Sequence, residues 1–145
     1  MKQDVLFLIP ARGGSKGFPG KNLARLAGIP LVGRTVRIAR RAASVLGPGC
    51  RVVCSTDDHA IAEAARAWGA EVPFLRPAEL ATDGARTMDV VFHALDVLDG
   101  TFNAIALLQP TSPLTEAEDI LGAIRLHLET EAPVVSVCAA EHPAE

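Results

Sequence analysis

Near its start the chain carries an unbroken apolar run, Val5-Leu6-Phe7-Leu8-Ile9, which is cut by Pro10. Such a run without polar alternation suits a strand buried on both faces, and that strand needs helices above and below it. The following segments supply them. Residues 31–46 space Val32, Val36, Ala39, Ala43 and Leu46 by four, three, four and three, one face of a helix with arginines opposite. Gly47-Pro48-Gly49 stops that helix. Residues 51–55 read as a second strand. Thr56 or Asp57 caps a helix over 58–68, closed by Gly69. Residues 71–75 read as an edge-like third strand, because Pro73 lacks a backbone donor. Helix 87–98 turns Val91, Leu95 and Leu98 inward, and residues 104–108 form a fourth strand. Helix 116–128 presents Ile120, Leu121, Ile124 and Leu128, and residues 134–138 form a fifth strand.

Strand–helix alternation predicts an α/β chain with a Rossmann-like three-layer αβα architecture and a mostly parallel sheet. Crossovers of one hand bring the strand-to-helix loops 10–23, 55–58, 76–87 and 109–116 to one sheet edge, where such folds bind ligands. At 145 residues the chain is the length of one domain.

Composition narrows the setting. With 49% hydrophobic and 21% charged residues the chain is expected to be globular, not disordered. No apolar run approaches the ~18 residues of a membrane span, and the first run is too short for a signal peptide. The cysteines, Cys50, Cys54 and Cys138, form no C-x-x-C pair. A disulfide framework or zinc site is therefore not expected, and a cytoplasmic setting is. His59, His93, His127 and His142 show no metal spacing. Trp68, Cys50 and Cys54 read as packing residues.

Net charge is −3, but it is segregated. From Val5 to Thr56 there are nine cationic residues and no Asp or Glu; from Asp57 onward there are sixteen acids and four arginines. An acid-free basic first third facing an acidic remainder fits a small polyphosphate better than a nucleic acid. Arg34, Arg37, Arg40 and Arg41 read as the solvated face of their helix.

The loop after the first strand is the candidate site: Pro10-Ala11-Arg12-Gly13-Gly14-Ser15-Lys16-Gly17-Phe18-Pro19-Gly20-Lys21-Asn22-Leu23. Its glycines let the backbone approach a ligand, and successive N–H groups with the Ser15 hydroxyl can nest an anion. Arg12 offers a planar fork and Lys21 a point charge, two ways of holding phosphate oxygens. Neither a Walker A loop nor a G-x-G-x-x-G fingerprint is present.

This loop resembles the nucleotide-binding signature of the acylneuraminate cytidylyltransferases, the CMP-sialic acid synthetases. Ser55-Thr56-Asp57, Leu75-Arg76-Pro77-Ala78-Glu79-Leu80-Ala81-Thr82-Asp83 and Leu107-Leu108-Gln109-Pro110-Thr111-Ser112-Pro113-Leu114 resemble further family segments. The resemblance covers essentially the whole chain. Lys21-Asn22-Leu23 and the Gln109–Pro113 stretch are closer to the sialic-acid-like group than to the Kdo group.

The resemblance implies a nucleotide-diphospho-sugar transferase-like fold and a nucleotidyltransferase. The anomeric hydroxyl of a nine-carbon keto sugar acid would attack the α-phosphate of CTP, giving a CMP-sugar and pyrophosphate. It implies that Arg12 and Lys21 are catalytic and hold the triphosphate with Gly13, Gly14 and Ser15. Asn22 and Arg76 match nucleotide-site positions, and Ala85 and Thr87 match positions at cytosine. Gly84 and Arg86 depart from the family, which places small hydroxyl residues there. Gln109 matches a residue near the acceptor sugar; Thr111 and Ser112 either assist it or cap the next helix. Asp57 and Asp58 read as helix caps rather than magnesium ligands. A triphosphate substrate implies Mg²⁺, for which no ligand is assigned in this chain.

Family members continue well past residue 145. The expectation is a single nucleotide-binding domain over 1–145, truncated at its C-terminus, from a protein that is a homodimer at full length. The alternatives are a nucleotide-binding core inactive by itself, or a nucleotidyltransferase for another acidic sugar such as Kdo, pseudaminic or legionaminic acid. Neither nucleic acid nor membrane is expected as a partner.

Overall fold

The computed structural model describes residues 3–14 and 17–139. Its central sheet has the order β4-β1-β5, from β1 (Val5–Pro10), β4 (Arg51–Ser55) and β5 (Ala104–Leu107), all parallel. Phe7 stands in register between Val52 and Ala106. A short hairpin, β2 (Arg25–Leu26) with β3 (Ile29–Pro30), precedes α1 (Leu31–Leu46). Sequence periodicity had not indicated it, because two-residue strands carry no pattern. The other helices are α2 (His59–Ala67), α3 (Thr87–Val97) and α4 (Ala117–Thr130).

Side-chain alternation along β1 divides the core into two layers. Val5, Phe7 and Ile9 pack with Val32, Val36 and Ala39 of α1, Ile61 and Ala65 of α2, and Ile120, Leu121 and Ile124 of α4. Leu6 and Leu8 pack on the other face with Val53 and with Val91, Ala94 and Leu98 at α3. The layers are therefore α1, α2 and α4, then the sheet, then α3: the three-layer αβα arrangement expected. On α1 the buried stripe includes Ala42, while Ala43 and Leu46 are only half-buried. Gly33 lets α1 approach Trp68 closely, since a Cβ there would stand 2.7 Å from the indole.

Two expected strands do not form. Residues 71–75 make a single parallel bridge, Val53 to Glu71. Glu71 exchanges backbone bonds with Val52 and Cys54 at 2.8 and 2.9 Å, and the chain next returns to this edge when Arg76 N–H donates to Thr56 C=O at 2.8 Å. Pro73 lies between and cannot continue the ladder. Residues 134–138 lie outside any strand, Val134 half-buried and the rest exposed. Val134 and Val135 line a cleft of about 1090 Å³ together with residues of β5, and the described residues do not pair across it as a ladder. β5 accordingly has no neighbour on that side among the described residues.

Cap positions also differ. Of the three candidates Thr56, Asp57 and Asp58, it is Asp58 that caps α2, its Oδ1 accepting from Ile61 N–H at 2.9 Å. Thr56 Oγ1 instead accepts from Asp58 N–H at 3.1 Å, and Asp57 is drawn into another contact described below. Glu116 and Asp119 form a capping box on α4, so Thr111 and Ser112 do not cap it.

Candidate active site

The carboxyl ends of β1, β4 and β5 bring three loops to one edge of the sheet, as parallel order demands. The glycine loop leaves β1 at Ala11, whose N–H donates to Ser55 C=O at 2.9 Å and ties it to the end of β4. Asn22, buried at 6% exposure, returns across the loop and donates to Arg12 C=O at 2.9 Å. Gly20 takes a left-handed conformation, φ 70°, which starts the 3₁₀ turn Lys21–Leu23. Gly13 is required by space: a Cβ would stand 2.9 Å from the Cβ of Asp58. Ser15 falls outside the described residues.

Two acids meet this loop, neither of which sequence reasoning had given that role. Asp57 Oδ1 accepts from Gly13 N–H at 2.9 Å, so part of the expected N–H nest is already filled by the chain's own carboxylate. Asp83 Oδ1 accepts from Arg12 Nη1 at 2.6 Å. Both belong to segments already singled out, but partners so far apart in the chain leave no local periodicity to read. Gly14 has open space around it, and Lys21, half-buried, has no side-chain hydrogen bond or ion pair among the described residues.

Arg76 lies beneath these groups and is buried at 6% exposure. Its Nε donates to Ser55 Oγ at 3.1 Å, Nη2 to Ser55 C=O at 2.6 Å and Nη1 to Leu80 C=O at 3.2 Å. Three of its five N–H groups thus have protein acceptors. Burial pulls its pKa below the usual arginine value; Asp57 and Cys54 oppose that, and Arg12 adds to it. It stays cationic, a fixed positive charge under the loop. Cys54 beside it has its thiol pushed up to about 12 by burial, with Arg76 opposing, and is no nucleophile.

The remaining expected positions lie around this cluster. Ala85 N–H closes a turn on Thr82 C=O at 3.2 Å, and Thr87 opens α3, exposed. Gln109, Thr111 and Ser112 follow β5 and are exposed, above a fully buried Pro110. Gln109 and Ser112 line the cleft beside β5, which none of Arg12, Lys21 and Arg76 lines. The site therefore divides into a cationic half at β1 and β4 and a neutral polar half at β5.

No three His, Cys, Asp or Glu side chains are grouped to hold a metal ion among the described residues. Asp57 and Asp58 are committed to backbone N–H groups, and Asp83 to a guanidinium. These residues do not form a magnesium site.

A family model described as cytidylyltransferase matches residues 6–143. The CMP-N,N'-diacetyllegionaminic acid synthase of Legionella pneumophila is 43% identical over 141 residues, covering 92% of this chain and 57% of that protein. The N-acylneuraminate cytidylyltransferase of Escherichia coli is 35% identical, covering 100% of this chain and 34% of its own length. Among solved structures, a CMP:2-keto-3-deoxy-manno-octonic acid synthetase complexed with CTP superposes with a TM-score of 0.68 at 23% identity. It matches 90% of this chain and 49% of its own, and at that identity the likeness is one of fold. The chain spans between one third and three fifths of the length of these proteins.

Proposed function

Because this chain belongs to the cytidylyltransferase family, we propose that it is the nucleotide-binding core of an enzyme that activates a nonulosonic acid with CTP. The anomeric oxygen of a sialic-acid-like sugar attacks the α-phosphorus, the bond to the β-phosphate bridging oxygen breaks, and pyrophosphate leaves. Transfer of this kind rests on positioning and charge neutralisation. Arg12, Lys21 and the N–H groups of Gly13 and Gly14, with the Ser15 hydroxyl, hold the phosphates, Lys21 at the α-phosphate. Asn22 keeps Arg12 in place through its carbonyl. Arg76 contributes fixed positive charge, Ala85 and Thr87 lie at the cytosine, and Gln109, Thr111 and Ser112 lie toward the sugar. Mg²⁺ accompanies the triphosphate, and the reading includes a homodimer of the whole protein in the cytoplasm. No helix of the described residues is long and apolar enough to cross a membrane.

The observation that carries the reading is the cationic glycine loop, pinned by Asn22 and Ser55 at the carboxyl edge of a parallel sheet. Relatives named for legionaminic, sialic, pseudaminic and 3-deoxy-manno-octulosonic acids span several acidic sugars, so the acceptor is tested separately. A thermal-shift panel of CTP, UTP, GTP and ATP tests the nucleotide. CTP at a hundred times its Kd should stabilise by about 2.7 kcal/mol, well above the other three. An equal response to all four, or none, rejects the reading. Pyrophosphate release with several nonulosonic acids, on the longest gene product, then identifies the sugar.

A further inference from the structure

Arg12 already holds an anion. Asp83 Oδ1 lies 2.6 Å from its Nη1, and the two side chains are 43% and 32% exposed, respectively. A carboxylate oxygen on an arginine fork occupies the kind of position that a phosphate oxygen takes there. The adjacent donor, Gly13 N–H, is loaded in the same way by Asp57. The two acids differ in how they are held. Asp57 comes straight off β4, beside the capped start of α2. Asp83 sits on a largely exposed stretch between the 3₁₀ turn Ala78–Leu80 and α3, outside the sheet.

We infer that Asp83 is a resident stand-in for a phosphate oxygen on Arg12, a positioning residue that holds the guanidinium until a polyphosphate displaces it. The inference rests on the proposed nucleotide function for the identity of the displacing anion. Its consequence reaches beyond one ion pair. Asp83 lies two residues before Ala85 and four before Thr87. Phosphate arriving at Arg12 therefore removes one of the contacts that hold the segment assigned to the base, which couples the two ends of the nucleotide. The internal pair also lowers affinity, because it must be broken before the new one forms.

The test compares the wild-type chain with Asp83→Asn and Asp83→Glu, titrated with CTP and with inorganic pyrophosphate by calorimetry. Amide hydrogen exchange is followed over residues 78–86. An exposed ion pair of this kind sets the scale, so Asp83→Asn should bind both ligands about two- to fivefold more tightly. Asp83→Glu should return toward wild type. Exchange over 78–86 should rise in ligand-free Asp83→Asn, and in wild type only when pyrophosphate is added. Damage to the fold would weaken binding, so a gain in affinity separates displacement from a structural role. Equal or weaker binding by Asp83→Asn, or exchange unmoved by pyrophosphate, overturns the inference. Wild type that binds CTP without either effect leaves the nucleotide reading standing and removes this one. Pyrophosphate that releases the segment while CTP fails to bind does the reverse.

Discussion

Two cations of the site make opposite predictions. Arg76 is buried and spans acceptors on Ser55 and Leu80, so it joins the end of β4 to the segment before α3. Arg76→Ala leaves buried acceptors without a donor and should destabilise the fold by about 1–3 kcal/mol, read from the denaturant midpoint. Arg76→Lys should recover only part of that, because an ammonium cannot span three acceptors as a planar fork does. An unchanged midpoint for Arg76→Ala would mean that the clamp contributes nothing. Lys21 has no such ties among the described residues. Lys21→Ala should leave stability within about 0.5 kcal/mol of wild type. In the whole enzyme it should lower turnover by roughly 10²–10³, as for other lost electrostatic donors. Pyrophosphate release and a thermal melt on the same preparation separate the two effects.

Elements show how local and distant forces share one short stretch. Thr56, Asp57 and Asp58 are all chemically able to cap α2, and sequence reasoning offered each of them. Asp57 is taken by Gly13, Thr56 is fully buried, and the cap falls to Asp58. Asp58→Ala should cost about 1 kcal/mol and lower Tm by roughly 3–5 °C, followed by circular dichroism. No change in Tm would show that the first turn of α2 is held by packing alone. At residues 71–75 sequence reasoning expected a strand and read Pro73 only as setting it at an edge. The effect of Pro73 is stronger than that: the strand does not form, and one bridge is all that survives.

In the whole molecule the asymmetry lies at β5. Ile105 and Leu107 belong to the sheet but are each 38% exposed, and the outer edge of their strand has no partner among the described residues. Exposed apolar side chains on an unpaired edge favour association between chains. Ile105→Lys should therefore reduce light scattering as the concentration of this chain rises, with little change in the melting curve. Equal scattering by both chains would show that the edge does not drive self-association. Residues 134–138 are apolar enough to be a strand but form none, since a strand needs a paired backbone as well as a pattern, and no ladder joins them to β5.

The amino-acid order alone determined the three strands of the parallel sheet and the four helices around them, the three-layer arrangement and the cationic glycine loop at the head of the first strand. Each is written in local signals: the period of apolar residues, the breakers between them, and charge beside glycine. Tertiary structure decided which donors and acceptors meet. Asp57 on Gly13, Asp83 on Arg12 and the burial of Arg76 join segments separated by 44, 71 and 21 residues. Contacts across such distances depend on how the sheet edge gathers its loops, and neither propensity nor spacing encodes them singly.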